Sequence, residues 1–502
     1  MKSKYLIIIF FILSTVYVKA QMSDLAEMMG NKELVSWDNI YNQDNTLYGT
    51  IFFYKGDKSD KKHRQYEYLI FDKNLNLIAK NNFFQRSLLL TNYKFYASKN
   101  IDNTLLLNID YGVFTKHIYN FLFTTYRKID LNKNTISDEF YFDGHTVKNL
   151  SMGYKIGNKL ATEWHELIPV KAENIAGYLI LKHFSKPKKN YQINKLRFLD
   201  NQNQIRWTFH FNKNANKNSY QKIHYIYMND GMAIIEFYNY TKKKYSGDVL
   251  VAINLTNGQK IFEYQLEDIK NKNYKKIIHH YVNNIKKYGN KIYLTGQYYK
   301  KYALGIYKIT LDTSGKELFK KYVPWQAFSK YLKINKYAKV EKGYILKPRE
   351  FFIFRDGSIS YLSEKYKPQK NITTEIHIAP KTTDMVLMNL DSDFNVKDVI
   401  TIHKYKSLYS YDYLFSQYVK NNTGCVFFFQ DFKKDKIKKD KVGILGINKY
   451  INSKYSYEEI PIYSKKEKYT IIPIKAKEGY IILREFNKDD KYDQIRLEKI
   501  NL

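Results

Sequence analysis

The stretch FRDGSISYLSEKY, residues 354–366, combines a turn with an alternating strand. Its Asp356-Gly357 dipeptide is typical of tight turns. Ile359 and Tyr361 follow at alternate positions, which places both on one face of a strand. An aromatic residue closes the stretch. This arrangement recurs along the chain, and its recurrence decides the predicted fold.

Eight segments share the arrangement, at intervals of roughly 60 residues. They begin near Asn45, Asn103, Asn174, Asp230, Gly289, Asp356, Asn422 and Glu478. Between them the chain repeats a strand, a short polar tip and a return strand, as in FLDNQNQI (198–205) and LDTSGKEL (311–318). An early Asp or Asn in such a tip favours a hairpin turn. Each repeat therefore contains several antiparallel strands.

One antiparallel sheet per repeat, with the sheets arranged radially, gives a β-propeller. We predict an all-β chain, folded as a β-propeller of seven or eight blades with three to four antiparallel strands each. The last repeat, from Glu478, has no polar tip, so Leu34–Tyr41 is predicted to complete that blade and close the ring between the N- and C-terminal strands. Two tandem β-domains are the alternative, although no Pro-, Ser- or Gly-rich linker divides the chain.

The first residues indicate export. Lys2 and Lys4 precede an apolar run from Tyr5 to Val18, and small residues at Val18 and Ala20 suit cleavage before Gln21. The run is about 14 residues, shorter than the ~20 that a spanning helix needs. We therefore expect a signal peptide over 1–20, a single propeller domain over 21–502 and a periplasmic or secreted protein without an integral membrane segment. An uncleaved anchor is the alternative.

The chain is strongly basic and almost free of cysteine. Its formal net charge is +34, from 83 Lys and Arg against 49 Asp and Glu. This balance favours anionic partners, but only nine of the basic residues are Arg. Because bidentate phosphate recognition favours Arg, nucleic acid is not an expected partner. Genome composition is an alternative cause of the charge. Cys425, the single cysteine, excludes an internal disulfide and is expected in the core.

Lysines concentrate in the connections between the first predicted strand of each repeat and the next strand. Because antiparallel strands reverse at opposite ends, these connections and the polar tips lie on opposite faces of a ring. We predict one basic face that binds an anionic partner, although lysine-rich loops are also expected simply because they are solvated. The predicted binding residues are Lys61, Lys62, Lys188, Lys189, Lys242, Lys243, Lys244, Lys300, Lys301, Lys433, Lys434, Lys438 and Lys439.

Motifs for metal binding and nucleophilic catalysis are weak. The segment Glu163–Glu166 lacks the second histidine of a zinc helix, and His279 and His280 would point to opposite faces of a strand. Asp391, Asp393 and Asn395 have the spacing of a calcium loop without its glycine or final glutamate, so a hairpin tip is the better interpretation. We expect no metal and no cofactor.

Three glutamates occupy similar places in three repeats: Glu236, Glu364 and Glu485. If their strands were innermost, the carboxylates could converge for glycoside cleavage. The simpler interpretation is a recurrent position that faces solvent. No carboxylate pair is assigned a catalytic role on this basis.

The repeats resemble those of exported, largely uncharacterised propeller-like proteins of low-GC Gram-negative bacteria. That resemblance covers most of the mature chain, rests on loose motifs, and implies fold and compartment without any functional residue. Our leading hypothesis is a monomeric, non-catalytic binding or scaffold protein that engages a protein or an anionic polysaccharide through the basic face. The alternative is a glycan hydrolase or lyase with residues around the central channel.

Overall fold

The computed structural model describes residues 22–502, with gaps. The gaps are 31, 45, 59, 61–62, 87–90, 116–117, 141–162, 171, 173, 185–190, 203, 230, 267–277, 369, 372–376, 379, 409–410, 435–440, 465–467 and 488–491. Strands make up 70% of the structure and helices 4%. The chain is therefore all-β, as predicted.

Six sheets have four antiparallel strands each, paired in chain order from the first strand to the fourth. Blade 1 contains β2 (Glu33–Tyr41), β3 (Leu47–Lys58), β4 (His63–Asp72) and β5 (Leu77–Arg86). Blade 2 contains β6 (Thr91–Ile101), β7 (Thr104–Thr115), β8 (Ile118–Asp130) and β9 (Thr135–Ile136). Blade 3 contains β10 (Glu163–Pro169), β11 (Gly177–Phe184), β12 (Lys195–Asp200) and β13 (Ile205–His210).

Blades 4 to 6 follow the same order. Blade 4 contains β14 (Ser219–Asn229), β15 (Met232–Thr241), β16 (Lys244–Asn254) and β17 (Lys260–Gln265). Blade 5 contains β18 (His279–Tyr288), β19 (Lys291–Tyr299), β20 (Ala303–Asp312) and β21 (Glu317–Pro324). Blade 6 contains β22 (Ile345–Ile353), β23 (Ile359–Lys367), β26 (Lys381–Leu390) and β27 (Val396–Ile402). A small two-stranded sheet, β24 (Lys370–Asn371) and β25 (His377–Ile378), interrupts blade 6.

The remaining strands form one eight-stranded sheet that divides into two further blades. Blade 7 contains β28 (Tyr413–Val419), β29 (Gly424–Lys434), β30 (Lys441–Ile451) and β31 (Lys454–Ser464). Blade 8 contains β32 (Tyr469–Lys475), β33 (Tyr480–Asn487), β34 (Tyr492–Lys499) and the N-terminal strand β1 (Met22–Asp24). Among the described residues, strand pairing links the two blades where Tyr463 and Ser464 pair with Thr470 and Tyr469.

Eight hydrophobic cores show that the blades form a closed ring. Among the described residues, seven clusters of buried side chains each join one blade to the next along the chain. The eighth cluster joins blade 8 to blade 1, with Ile482 and Ile495 packed against Phe52 and Phe71. Each blade is thus buried on both faces, and the described chain is a β-propeller with eight four-stranded blades.

One expectation about ring closure was wrong. Leu34–Tyr41 does not complete the last blade, because it lies in β2 and pairs with β3 as the first strand of blade 1. The strand β1 takes that place instead and pairs antiparallel with β34, Met22 opposite Arg496. The short helix α1 (Leu25–Met29) follows, with Leu25 and Met29 buried in the core between blades 8 and 1.

The eight sequence repeats correspond to the second strands of the eight blades. In the opening stretch, Gly357 has a φ of +83°, which suits the turn before β23. Ile359 and Tyr361 then pack into the core shared with blade 5, as expected. The repeats therefore begin one strand later than the blades do, because each blade starts with a strand that precedes the turn.

The strand order defines two faces of the ring. The first strands of blades 1 and 2, and those of each successive pair from blade 4 to blade 8, contact one another, which places the first strands on the channel side of the ring. The connections from second to third strands and from blade to blade lie together on one side, called here the loop face. The hairpins joining first to second and third to fourth strands lie on the other side, called the hairpin face. Among the described lysine-rich connections, those at Lys242–Lys244 and Lys300–Lys301 join second to third strands and so belong to the loop face.

Two single-turn 3-10 helices, Trp325–Phe328 and Glu341–Gly343, lie between blades 5 and 6. Trp325 and Phe328 are buried in the core between these blades. Of the helices in the described part of the chain, none has the length and the apolar character needed to cross a membrane.

Candidate functional site

The predicted lysines are only partly described. Lys242, Lys243 and Lys244 form an exposed turn between β15 and β16, and Lys300 and Lys301 are exposed between β19 and β20. Lys433, near the end of β29, forms an ion pair with Glu459. Lys434 is the last residue of β29, and its side chain is outside the described part of the structure. Lys61, Lys62, Lys188, Lys189, Lys438 and Lys439 lie outside the described residues.

A pocket of about 280 Å³ opens between the channel sides of blades 5 and 6. It is lined by Tyr281, Asn283, Gln297, Tyr299, Pro348, Arg349, Glu350 and Phe351. These residues lie on the first and second strands of blade 5 and on the first strand of blade 6. Tyr281 is 44% exposed, whereas Gln297 is buried, so the pocket has an open aromatic side and a closed polar side.

β-bulges in the first strands position the polar side chains of this region. The pairing register shifts around His224 in blade 4, around Asn283 in blade 5 and around Arg349 in blade 6. A bulge inserts one unpaired residue and re-aims its side chain. The bulges around Val35 in blade 1 and Leu414 in blade 7 carry apolar residues instead. The first strand of blade 2 also shifts register between Ala97 and Asn100, so polar bulge residues occur there as well as in blades 4 to 6.

Gly296 allows the bulge of blade 5 to form. It stands opposite Val282, and a Cβ atom at this position would lie 1.9 Å from the backbone oxygen of Tyr281 and 3.0 Å from the nitrogen of Asn283. No side chain fits so close an approach of two backbones. The glycine therefore fixes the spacing of the two strands that carry half of the pocket.

The bulge residue Arg349 is held by one of the recurrent glutamates. Its Nη2 lies 2.6 Å from Oε2 of Glu364, and both side chains are almost fully buried. Oε1 of Glu364 accepts the backbone N–H of Asp412 at 3.0 Å and lies 3.6 Å from Nζ of Lys404. Burial raises the pKa of Glu364, against the opposing effect of Arg349 and Lys404. These four charged residues tie blade 6 to the chain entering blade 7.

Glu236 forms a comparable pair in blade 4. Its Oε2 lies 2.7 Å from Nδ1 of the bulge residue His224, and burial raises the pKa of Glu236. Glu485, in contrast, pairs with Arg496 at 2.7 Å and remains partly exposed. Glu236 and Glu364 lie on the faces that pack against the following blade, whereas Glu485 lies on the face toward the preceding one.

Neither interpretation of these glutamates is confirmed, and the expectation of a solvent-facing position was wrong for two of them. Their strands β15, β23 and β33 are second strands and not innermost, so the condition for convergence at the channel is not met. Glu236 and Glu364 are fully buried, so they are not solvent-facing positions either. Their contacts indicate that they position bulge residues and join neighbouring blades.

Glu350 is the carboxylate that lines the pocket. It lies next to the bulge of β22, and Tyr413 and Ser416 of blade 7 donate to its Oε2 at 3.2 and 3.3 Å. Burial raises its pKa, and the charge of Lys475 on blade 8 opposes that rise. Burial raises the pKa of Tyr225 on blade 4, and the charge of Glu350 adds to that rise. Groups from several first strands thus surround this carboxylate on the channel side.

Aromatic side chains cover the loop-face ends of blades 4 and 5. The group called here the aromatic cluster comprises Tyr220, His224, Tyr238, Tyr240, Tyr245, His279 and Tyr281. Tyr220, Tyr240 and Tyr245 stand opposite one another across β14, β15 and β16, with ring centroids 4.9 and 6.4 Å apart. All seven side chains are partly or largely exposed.

Tyr281 joins the aromatic cluster to the pocket. Its ring meets His224 edge to face at a centroid distance of 5.0 Å, and the same residue lines the pocket. His224 in turn stacks on Tyr238 at 4.2 Å. On the other side of the pocket, the ring of Tyr411, 57% exposed, lies 5.5 Å from the guanidinium of Arg349. The pocket mouth is therefore flanked by two exposed tyrosines.

The adjacent histidines His279 and His280 both contact other side chains of the fold. His279 packs against Tyr245, while His280 is buried, with its Nε2 2.8 Å from the hydroxyl of Tyr322 and its pKa lowered to about 3 by burial. Within the described part of the chain, no group of three or more His, Cys, Asp or Glu residues could hold a metal ion. The two histidines thus have different surroundings, as expected.

The calcium-like spacing at Asp391 is a hairpin tip, as interpreted from the sequence. Oδ1 of Asp391 accepts the backbone N–H of Asn395 at 2.7 Å. Two lysines of blade 5 donate to the tip: Lys308 to the carbonyl of Ser392 at 2.6 Å and Lys321 to the carbonyl of Asp393 at 3.0 Å. The carbonyl oxygens of Ser392 and Asp393 therefore accept hydrogen bonds from lysine ammonium groups. Cys425 is fully buried in the core between blades 6 and 7, as expected.

The chain belongs to a family described as a family of unknown function, DUF6770, whose model matches residues 1–407. No curated protein matches it. Among solved structures, it is similar to the WD40 domain of SCAP from fission yeast, at 9% identity and a TM-score of 0.40, covering 96% of this chain and 98% of that one.

Two further structures are similar over most of their length. The polysaccharide lyase Uly1 matches at 8% identity and a TM-score of 0.36, with 90% of this chain and 88% of that one covered. The β-propeller domain of the Trilobed protease from Pyrococcus furiosus matches at 9% identity and a TM-score of 0.31, with 94% and 96% covered. The eight interblade cores define the propeller fold of the described chain.

Proposed function

We propose that this protein is an exported, non-catalytic binding protein that holds an anionic glycan on the loop face of blades 4 and 5. The observation that carries the proposal is the turn of Lys242, Lys243 and Lys244, three exposed lysines placed between Tyr240 and Tyr245 of the aromatic cluster. Lysines attract carboxylate or sulfate groups, and aromatic faces pack against the apolar faces of sugar rings.

Several features support a glycan in preference to a protein partner. The aromatic cluster consists of partly exposed rings in edge-to-face and stacked pairs, and its tyrosines carry polar hydroxyl groups. Lys300 and Lys301 add positive charge at the adjoining turn of blade 5. A polymer with repeated acidic groups can contact both turns. Export, for which residues 1–20 provide the sequence signal, would place the protein where such polymers occur.

Binding is also favoured over catalysis. Glu350 is the one carboxylate among the residues that line the described pocket, whereas glycosidases use a carboxylate pair. A lyase would require a basic tyrosine or histidine, but burial raises the pKa of Tyr299 to about 12 and also raises that of Tyr238. The described side chains therefore bind more readily than they transfer protons.

The test is the binding of three polymers at 50 and 500 mM NaCl: polygalacturonate, hyaluronan and neutral dextran. The first two should bind more weakly at high salt, because exposed charges are screened. Lys242→Gln/Lys243→Gln/Lys244→Gln should weaken that binding about tenfold. The matched control Lys73→Gln/Lys133→Gln/Lys316→Gln removes three exposed charges from hairpin tips on the opposite face and should bind like the unmodified protein.

Two results would refute the proposal. One is the absence of binding to both acidic polymers at low salt. The other is equal weakening by the two triple variants, because a general loss of charge would then explain the effect without a localised surface.

A further inference from the structure

The pocket between blades 5 and 6 differs chemically from the lysine turns outside it. Its aromatic and apolar walls are Tyr281, Tyr299, Pro348 and Phe351, and its polar groups come from Asn283, Gln297, Arg349 and Glu350. Its volume of about 280 Å³ is slightly below the ~300 Å³ at which pockets for drug-sized ligands begin. A single small unit of a larger ligand fits such a space.

Arg349, Gln297 and Tyr299, three of the residues that line the pocket, already donate to protein acceptors. The Nε and Nη2 atoms of Arg349 both lie 2.6 Å from Oε2 of Glu364. Nε2 of Gln297 donates to the hydroxyl of Tyr361 at 3.2 Å, and its oxygen accepts the hydroxyl of Tyr299. The charge of Arg349 is therefore balanced by Glu364 outside the pocket lining.

The acceptors are less well satisfied. Among the described residues, no donor reaches the buried Oδ1 of Asn283, the bulge residue of β18. The carboxylate of Glu350 accepts only long hydrogen bonds: 3.3 Å from the N–H of Phe351, 3.2 Å from Tyr413 and 3.3 Å from Ser416. Because a buried acceptor without a donor is costly, this pocket suits a ligand that brings hydroxyl donors.

We propose that the pocket binds one neutral, hydroxyl-bearing sugar unit of the glycan, with Asn283 and Glu350 accepting hydrogen bonds from its hydroxyl groups. This inference rests on the proposed function, and it adds that the preferred glycan contains neutral units as well as acidic ones. A carboxylate or sulfate in the pocket would face the carboxylate of Glu350 and an amide oxygen, which disfavours a wholly acidic chain.

The arrangement of the rings gives the path of the remaining chain. Tyr281 belongs both to the pocket and to the aromatic cluster, which extends outward through His224 and Tyr238. The ring centroid of Tyr245 lies 4.0 Å from that of His279, and Tyr245 directly follows the three-lysine turn. A glycan whose neutral unit occupies the pocket would pass over Tyr281 and present its acidic units to that turn.

The experiment compares two oligosaccharide probes, of which only one contains neutral sugar units. A hyaluronan hexasaccharide alternates acidic and neutral units, whereas a hexagalacturonate is acidic at every unit. Asn283→Ala and Glu350→Gln should each weaken binding of the hyaluronan hexasaccharide about tenfold, because each removes or alters one buried acceptor. Neither variant should weaken binding of the hexagalacturonate by more than about twofold.

Asn290→Ala is the matched control. Asn290 is exposed in the hairpin between β18 and β19, on the opposite face from the lysine turns. The Asn290→Ala variant should bind both probes like the unmodified protein. The thermal unfolding midpoint of each variant shows whether the blade is intact, and Glu350→Gln, which keeps the side-chain volume, decides the outcome if Asn283→Ala fails to fold.

The outcomes separate the two proposals. If Glu350→Gln binds the hyaluronan hexasaccharide normally while the three-lysine variant binds it weakly, the pocket inference is wrong and the proposed function stands. Stronger binding of the hexagalacturonate than of hyaluronan by the unmodified protein would likewise overturn the inference. If neither probe binds at low salt, both proposals fail together.

Discussion

Asp412 donates its backbone N–H to Oε1 of Glu364 at 3.0 Å, so a carboxylate on blade 6 holds the chain that enters blade 7. The same carboxylate holds Arg349, which lines the pocket. One buried side chain thus links the position of a pocket residue to the junction between two blades.

We predict that Glu364→Gln destabilises the protein by about 3–5 kcal/mol, because it leaves the buried Arg349 without its carboxylate, whereas Lys404 keeps its ion pair with Asp412. The matched control is Glu485→Gln, which breaks the partly exposed pair with Arg496 and should cost only ~0–1 kcal/mol. Urea denaturation at neutral pH measures both. Equal effects of the two substitutions would contradict the assignment of different roles to these glutamates.

The sequence predicted the blades better than it predicted the site. Turn residues before alternating apolar strands identified all eight second strands, because a turn and a strand are local features. The bulges at His224, Asn283 and Arg349 were missed, since a bulge depends on the register between two strands and leaves no fixed residue pattern. The sequence also did not show that Glu485 faces the preceding blade while Glu236 and Glu364 face the following one. When both faces of a strand are buried, the sequence pattern does not reveal which neighbouring blade each residue contacts.

Ring closure can be tested at the helix that follows β1. Leu25 is 1% exposed and packs with Phe52 and Ile482 between blades 8 and 1. Leu25→Ala should lower the free energy of unfolding by about 2–5 kcal/mol, because it leaves a cavity in a closed core. Leu408→Ala makes the same change at a side chain that is 62% exposed, and a cost below ~1 kcal/mol is expected there. Similar costs at both positions would show that the eighth core does not stabilise the ring.

Asp38, on the first strand of blade 1, should make stability depend on pH. Burial raises its pKa from 3.8 to about 6, although its Oδ1 accepts the N–H of Asn39 at 2.8 Å. Between these values the folded protein holds a proton that the unfolded chain releases, so stability falls as pH rises from about 4 to 6. Above that window a buried carboxylate carries its charge at a cost.

Asp38→Asn removes this charge and keeps an oxygen acceptor. We expect the variant to be more stable than the unmodified protein at pH 7.5, by at most about 3 kcal/mol, and equally stable below pH ~4. Urea denaturation at the two pH values measures the difference. Asp57→Asn, at an exposed position of the same blade, should show no such pH-dependent gain. A variant that is less stable at pH 7.5 would mean that the ionised Asp38 stabilises the fold.

Gly296→Ala tests whether the bulge of blade 5 needs a glycine beside it. Its Cβ would lie 1.9 Å from the carbonyl oxygen of Tyr281, so β18 and β19 must separate where Tyr281 and Asn283 enter the pocket. We expect a loss of at least 1–3 kcal/mol in the free energy of unfolding, as for overpacked cores, together with weaker binding of the hyaluronan hexasaccharide.

Gly56→Ala provides the control in blade 1. It also lies in a second strand, but its nearest contact would be 3.2 Å, to the carbonyl oxygen of Gln65, so a small backbone shift accommodates the methyl group. The urea midpoint of Gly56→Ala should therefore change less than that of Gly296→Ala, and its binding of the hexasaccharide should be unchanged. If Gly296→Ala is as stable and binds as well as Gly56→Ala, the close approach at the bulge does not set the geometry of the pocket.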